Sequence, residues 1–317
     1  MFALCLESSH ARGMGHFYRM LNLAAGLTKA GQPYIFYLND HAPSRQILFE
    51  RGVRHRVVAL EDSTSNWESS LIREDGIALW INDRLDTDAR HAQRVKATGI
   101  PLATFDDRGT GATLADLHIA ALAFDAQEPL AGNKLLCGAD YLILSPQISE
   151  HTRVRKRLAS ILVTLGGSDT YGVTIKVMQL LKEMDLAATV VVGPAFMHMD
   201  KLNEMLTARF TLKRGVPSLI QEFHRHDLAI TGGGITPFEA NASGLPCVVI
   251  ANELFEIPVG MALQDLGGSI FAGHYESISI PLFRPDMPLE QMSQAGIRHI
   301  GLQGTQRVIG ELLALVK

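Results

Sequence analysis

Cysteine is scarce in this 317-residue chain: there are 3, Cys5, Cys137 and Cys247, far apart and set in apolar surroundings. Three cannot all pair and none forms a CxxC, so a disulfide framework is excluded and three reduced, buried thiols are expected. An excess of positive charge is also missing. The 29 Lys+Arg stand against 33 Asp+Glu, a formal net charge of −4. A partner of nucleic acid or of an anionic membrane needs a basic face, so neither is expected. Any anionic ligand must then be held locally, by backbone amides and a few placed cations. No apolar run approaches the ~18 residues that cross a bilayer. The stretch Phe2–Leu6 has no cationic region before it and is too short for a signal core. A cytoplasmic protein without a membrane span is the expectation. Two nucleotide signatures are absent as well. Gly13 and Gly15 are followed by His16, Phe17 and Tyr18, so GxGxxG fails, and GxxxxGK[ST] occurs nowhere. Hydride transfer on NAD and P-loop hydrolysis are disfavoured.

What is present is core and punctuation. Hydrophobic residues make up 47% of the chain, enough for a packed interior. The length is about twice that of a typical domain. Short apolar runs alternate with amphipathic stretches, the pattern of parallel βα units. Strands are expected at 2–6, 34–38, 56–60, 78–81, 101–105 and 117–121, with helices at 16–30, 43–51 and 86–98. The charged stretch Glu150–Arg157 reads as a linker, because a second series begins directly after it. That series has strands at 160–165, 187–192, 210–213, 228–231 and 246–251, and helices at 172–184, 195–208, 236–243 and 257–266. A broken helix at 289–316 ends it. The expected architecture is α/β, with Rossmann-like domains at 1–155 and 156–317 facing each other across a cleft, and the last helix packing back on the first domain.

Many of the 28 glycines gather in loops that follow predicted strands: Arg12–Arg19, Leu165–Asp169 and Thr231–Thr236. Glycine lets the backbone approach a ligand closely, and strand-end loops are where such folds bind ligands. His16 stands at a helix start; it is either a capping or core-edge residue or a general base. Glu239 lies one turn into the helix opened by Pro237 and could reach a hydroxyl. Asn252 and Glu253 follow the next strand. His224, His226 and His198 lack ligand spacing, so neither a metal nor a cofactor is expected.

The segments GMGHFYR, FDDRGTG at 105–111, LGGSD at 165–169 and GGGITPFEANASGLPCVVIANE at 232–253 resemble the UDP-sugar hydrolase of the pseudaminic acid pathway and its spore-coat polysaccharide relatives. The resemblance runs in order through most of the chain. It implies the GT-B fold and hydrolysis of the anomeric C–O bond of a nucleotide sugar, UDP-linked first, without metal. It makes His16 the base that activates water and Arg19 the matching arginine, with Arg12 as a second cation. Asp106 joins the substrate residues, as do Gly13 and Gly15. Gly233, Gly234, Ile235 and Thr236 would hold the diphosphate, Glu239 the ribose, and Gly166, Gly167 and Ser168 would flank the same ligand. The family's Asp–aromatic motif is displaced here to Asn82-Asp83, so both are candidates for the sugar side. Its Asn-Gln is Asn252-Glu253 here, and a carboxylate beside a diphosphate is repulsive unless it faces elsewhere. A glycosyltransferase on the same fold and a non-catalytic nucleotide-sugar binder are the competing functions. No basic or apolar patch marks the first domain for membrane work, which favours the hydrolase.

Overall fold

The computed structural model describes all residues except 10–13, 125–129, 168, 194–195, 217, 279–286 and 317. The chain divides into two compact units, the first built from Met1–Ser9, Met14–Ile143 and the segment from Gln303 onward, the second chiefly from Leu144–Leu302.

Unit 1 begins as β1 (Phe2–Leu6), α1 (Gly15–Lys29), β2 (Tyr34–Leu38), α2 (Ala42–Glu50), β3 (His55–Val57) and α3 (Trp67–Asp75). It continues as β4 (Leu79–Asp83), α4 (Ala89–Ala97), β5 (Leu102–Phe105), β6 (Leu117–Ala120) and β7 (Leu135–Cys137). The strands form one parallel sheet in the order β3-β2-β1-β4-β5-β6-β7. All of β1 is buried because helices cover both faces of a parallel sheet. Its Phe2, Leu4 and Leu6 pack with Phe17, Met20, Leu23 and Leu27 of α1. Its Ala3 and Cys5 pack on the other face with Trp80, Ala92 and Val95. The same period of two governs β4. Leu79 and Ile81 join the α1 side and Trp80 the α4 side. Asp83 therefore falls on the α1 face and Asn82 on the opposite one.

Unit 2 comprises α5 (Ile148–His151), β8 (Ile161–Thr164), α6 (Val173–Glu183), β9 (Ala188–Val192), α7 (Met199–Met205), β10 (Phe210–Arg214) and α8 (Leu219–Arg225). Then come β11 (Leu228–Gly232), α9 (Thr236–Ala242), β12 (Cys247–Ala251), α10 (Ile257–Asp265), β13 (Ser269–His274) and α11 (Leu289–His299). Its parallel sheet runs β10-β9-β8-β11-β12-β13. The last helix, α12 (Gly304–Ala314), belongs to unit 1, where Val308, Ile309 and Leu312 enter the α1 core. In each sheet the strand order reverses once, between β1 and β4 and between β8 and β11. That switch point is where ligands bind in doubly wound sheets.

Several expectations need correction. The charged stretch at 150–157 does not separate the units: the division falls between Ile143 and Leu144, and although most of the stretch is exposed, Arg155 is fully buried in unit 2. Its guanidinium donates to the carbonyls of Arg153 (2.6 Å), Phe223 (2.7 Å), His226 (3.3 Å) and Ser243. Cys137 is exposed, because β7 is a sheet edge. The helices α3 and α8 and the strands β7 and β13 were not expected, being short and weakly patterned. Arg155→Met removes one donor from each of four carbonyls, which keep Arg153, His226 and Ser293 as further donors, and is expected to destabilise unit 2 by about 1–3 kcal/mol. Both tryptophans of the chain, Trp67 and Trp80, lie in unit 1. A urea titration should show an early step by far-UV circular dichroism that tryptophan fluorescence does not follow; coincident transitions at the wild-type midpoint would count against it.

Candidate functional site

The switch point of unit 1 carries a charged cluster. His16 and Arg19 are one turn apart on α1, so they share a helix face. Asp83 ends β4, with Leu6 of β1 as its neighbour in register. His16 Nδ1 lies 2.6 Å from Asp83 Oδ1. Arg19 grips the same carboxylate with two donors, Nε to Oδ2 at 2.9 Å and Nη2 to Oδ1 at 2.5 Å. Its remaining arm, Nη1, donates to Asp106 Oδ2. The guanidinium also lies over the Phe105 ring, 5.3 Å from its centroid, a cation–π contact. Asp106 takes a left-handed backbone (φ 44°), unusual for a residue with a side chain. Its other oxygen accepts the Leu122 N–H at 3.1 Å.

Burial alone would push the Asp83 carboxyl up, but the Arg19 charge and then His16 outweigh it and hold it down at about 2. Burial likewise works against the Arg19 charge, and Asp83 and then Asp106 reverse that, raising its pKa. Asp83 is thus a fixed anion, and a carboxylate facing Nδ1 favours the His16 tautomer with its proton there, in which Nε2 is the accepting nitrogen. His16 keeps 16% of its side-chain surface accessible.

Arg19 is 7% exposed and Nε, Nη1 and Nη2 each donate to a carboxylate, so it clamps Asp83 and Asp106 together. Asn82 is fully buried on the other face of the sheet. Its Oδ1 accepts from Trp80 Nε1 (2.9 Å) and faces His91 Nε2 (3.2 Å), so it is apart from the cluster. Gly15 opens α1, where a Cβ would meet nothing within 4 Å. Arg12 and Gly13 lie outside the described residues. Elsewhere in FDDRGTG, Asp107 and Gly109 brace the β4–α4 connection. Asp107 accepts the N–H groups of Thr87 (2.9 Å) and Gly109 (2.9 Å), and a Cβ on Gly109 would lie 2.3 Å from the Thr87 backbone.

In unit 2 the two glycine loops differ. Gly166 needs its glycine for a φ of 90°. Gly167 is packed so closely that a Cβ on Gly193 would lie 2.3 Å from its carbonyl. Ser168 lies outside the described residues. Behind this loop, Asp169 accepts the first amides of α6, Val173 N at 2.7 Å and Thr174 N at 2.8 Å. That helix end is therefore already capped by Asp169.

The other loop is more open. A Cβ on Gly233 would lie 2.6 Å from the Glu256 Cβ, whereas at Gly234 it would meet nothing within 4 Å. Glu256 accepts the Asn252 N–H at 2.7 Å, and the Gly233 and Glu253 N–H groups also hydrogen-bond to it. Burial raises its pKa and these donors oppose the rise. The Gly233 amide, expected on the diphosphate, is thus engaged within the protein, leaving Gly234, Ile235 and Thr236 as the loop's candidates. Asn252 presents a buried carbonyl oxygen with no partner among the described residues. Glu253 turns to Tyr171, whose hydroxyl donates to Oε1 at 2.8 Å. Glu239 accepts the Ser145 N–H at 3.3 Å. Burial pushes its carboxyl up to about 7, against that one donor. Glu256 and Tyr171 were not anticipated. Glu256 stands three residues after Glu253 and before Pro258, the spacing of a helix-start glutamate; nothing in the sequence marks Tyr171.

The raised Glu239 pKa has a consequence for stability. Such a carboxyl holds its proton more tightly folded than unfolded, so its contribution is full below 4.5 and lost as pH rises through about 7. Unit 2 is expected to lose on the order of 2–3 kcal/mol across that window from this group. Glu239→Gln should remove that part of the slope between urea midpoints at pH 5 and pH 8. An unaltered slope would show that Glu239 titrates normally.

No family model matches the chain. An uncharacterized protein of Methanocaldococcus jannaschii is 29% identical over 283 residues, covering 80% of this chain and 56% of that protein. The spore coat polysaccharide biosynthesis protein SpsG of Bacillus subtilis is 26% identical over 283 residues, 84% of this chain and 82% of SpsG. Among solved structures, MurG of Acinetobacter baumannii aligns over 99% of both chains at a TM-score of 0.69 and 14% identity. Staphylococcus aureus MnaA, solved with UDP, aligns over 99% of this chain and 97% of its own at a TM-score of 0.64 and 15% identity. The glycosyltransferase VinC, solved with dTDP, aligns over 100% of this chain and 99% of its own at a TM-score of 0.61 and 15% identity. Two parallel, doubly wound sheets in one chain, matched end to end by such structures, are the GT-B fold.

Proposed function

We propose that the chain is an enzyme of polysaccharide biosynthesis that moves the sugar of a nucleoside-diphosphate sugar to an acceptor hydroxyl. The observation that carries this reading is the His16–Asp83 pair at 2.6 Å. A carboxylate on Nδ1 orients the imidazole and leaves Nε2 to take a proton, as a general base requires. In the step proposed, Nε2 accepts the proton of the attacking hydroxyl. The hydroxyl oxygen bonds to the anomeric carbon, and the anomeric C–O bond to the diphosphate breaks with its electron pair leaving on the nucleotide. A single displacement of this kind inverts the anomeric centre. Gly234, Ile235 and Thr236 are assigned to the diphosphate, Glu239 to the ribose, and the free Asn252 carbonyl oxygen to a donor on the ligand. A groove of about 430 Å³ at the carboxyl ends of β1–β3 has an apolar wall, Val57 to Leu60, and a polar rim of Glu7, Asn39, Asp40 and Glu61, a mixed lining that could take a sugar ring with its hydroxyls on the rim.

Transfer is placed first because the similar solved structures include glycosyltransferases and SpsG is named for polysaccharide synthesis. Water as the acceptor is the second reading, favoured by the motif GMGHFYR, which resembles that of a UDP-sugar hydrolase. The two readings share the base and differ in what it deprotonates. Incubation with UDP-, GDP-, dTDP- and CMP-sugars, with and without glycan acceptors, separates them. Nucleotide release that needs an acceptor supports transfer, and release without one supports hydrolysis. Failure to bind any nucleotide sugar sinks both.

A further inference from the structure

In the sheet of unit 2, β11 lies between β8 and β12. Tyr171 follows β8, and Glu253 follows β12. Their hydrogen bond, 2.8 Å from the Tyr171 hydroxyl to Glu253 Oε1, therefore spans the end of β11, from which the open glycine loop departs. Tyr171 is 44% exposed, yet its ring is fixed: it stacks on Tyr275 with centroids 4.5 Å apart and planes 14° from parallel. Tyr275 is itself anchored, since Lys176 of α6 donates to its carbonyl at 2.7 Å. A rigid donor is thus presented to one particular carboxylate. That carboxylate is the one whose charge conflicts with a diphosphate at Gly234–Thr236. Glu256 already adds a second acid to the same rim, hydrogen-bonded to the amides beneath the loop. An unrestrained Glu253 would be free to swing toward the anion, and like charges at contact distance repel strongly where water is partly excluded.

We infer that Tyr171 is a positioning residue that holds the Glu253 carboxylate aside so that the loop can accept a nucleoside diphosphate. The inference rests on the nucleotide-sugar reading above, and on the assignment of the 232–236 loop to the diphosphate. It also explains why a glutamate is tolerated beside that loop.

The test is calorimetric binding of UDP, with GDP and dTDP as further probes and uridine as an uncharged comparator, to the full chain. Tyr171→Phe keeps the ring and its stack on Tyr275 and removes only the hydroxyl. It is expected to weaken UDP binding about tenfold, the scale of one lost positioning hydrogen bond. Uridine binding should not change, and the tenfold loss should shrink as ionic strength rises, because repulsion is screened. Glu253→Gln should bind UDP at least as tightly as the wild type, and Tyr171→Phe with Glu253→Gln should bind like Glu253→Gln alone. Wild-type-like UDP binding by Tyr171→Phe overturns the inference while leaving the nucleotide reading intact. So does a double variant as weak as Tyr171→Phe, which would place the hydroxyl on the ligand itself. If the wild type binds none of the three diphosphates, the nucleotide reading fails, and the inference with it.

Discussion

Replacing His16 by Asn is expected to lower nucleotide release from the preferred nucleotide sugar by about 10²–10⁴-fold, the usual worth of a positioned general base. The effect should fall on kcat, with UDP affinity unchanged. Asn retains a polar group that can meet Asp83 Oδ1, now 2.6 Å from His16 Nδ1, so the buried carboxylate keeps a partner and the fold is little disturbed. What disappears is an acceptor at the position of Nε2. Leaving-group departure and diphosphate binding draw on other residues, so a residual rate should persist. The result also separates an enzyme from a non-catalytic binder. Release within tenfold of the wild type would remove His16 from the chemistry. A parallel loss of UDP affinity would make it a ligand contact instead.

Much of this site was legible before any coordinates, and for identifiable reasons. Strands buried on both faces read as continuous apolar runs, so β1, β2, β8 and β12 stood out, and the glycines after β1, β8 and β11 marked the loops. His16 was legible because it opens a helix directly after such a loop. The choice between Asn82 and Asp83 was decidable in principle. The apolar run ends at Ile81, and extending its alternation by two residues puts Asp83 on the α1 face. The role of Arg19 was not decidable, because its partners lie 64 and 87 residues away and only the packed sheet brings Asp83 and Asp106 to it. Arg155 misled for a related reason. A run of charge normally signals a solvated segment, and the three carbonyls of Phe223, His226 and Ser243, 68 to 88 residues away, leave no trace in local composition. The pairing of Tyr171 with Glu253, 82 residues apart, is hidden in the same way.

Arg19→Met is expected to have the largest effect on stability, about 3–5 kcal/mol in unit 1, because it leaves buried charge uncompensated. Asp83 is fully buried and Asp106 is 6% exposed, and Arg19 is the cation they share. The pH dependence should change sign. In the wild type the Asp83 carboxyl sits at about 2, below its ordinary 3.8, so its contribution is present above 3.8 and is lost as pH falls toward 2. Without Arg19, burial dominates and pushes the carboxyls up. Part of the lost stability should then return as pH is lowered from 7 toward 5, where the variant's acids take up protons. Tryptophan fluorescence reports this directly, since Trp67 and Trp80 both belong to unit 1. Arg19→Lys keeps a charge and guards against a variant that fails to fold, but one ammonium cannot reproduce a fork that engages Asp83 twice and Asp106 once. It should fold, leave His16 less well oriented and lower kcat, with UDP affinity unchanged because the nucleotide is assigned to unit 2. A rise in the UDP dissociation constant on Arg19→Lys, with kcat preserved, would make Arg19 a nucleotide contact and refute the clamp.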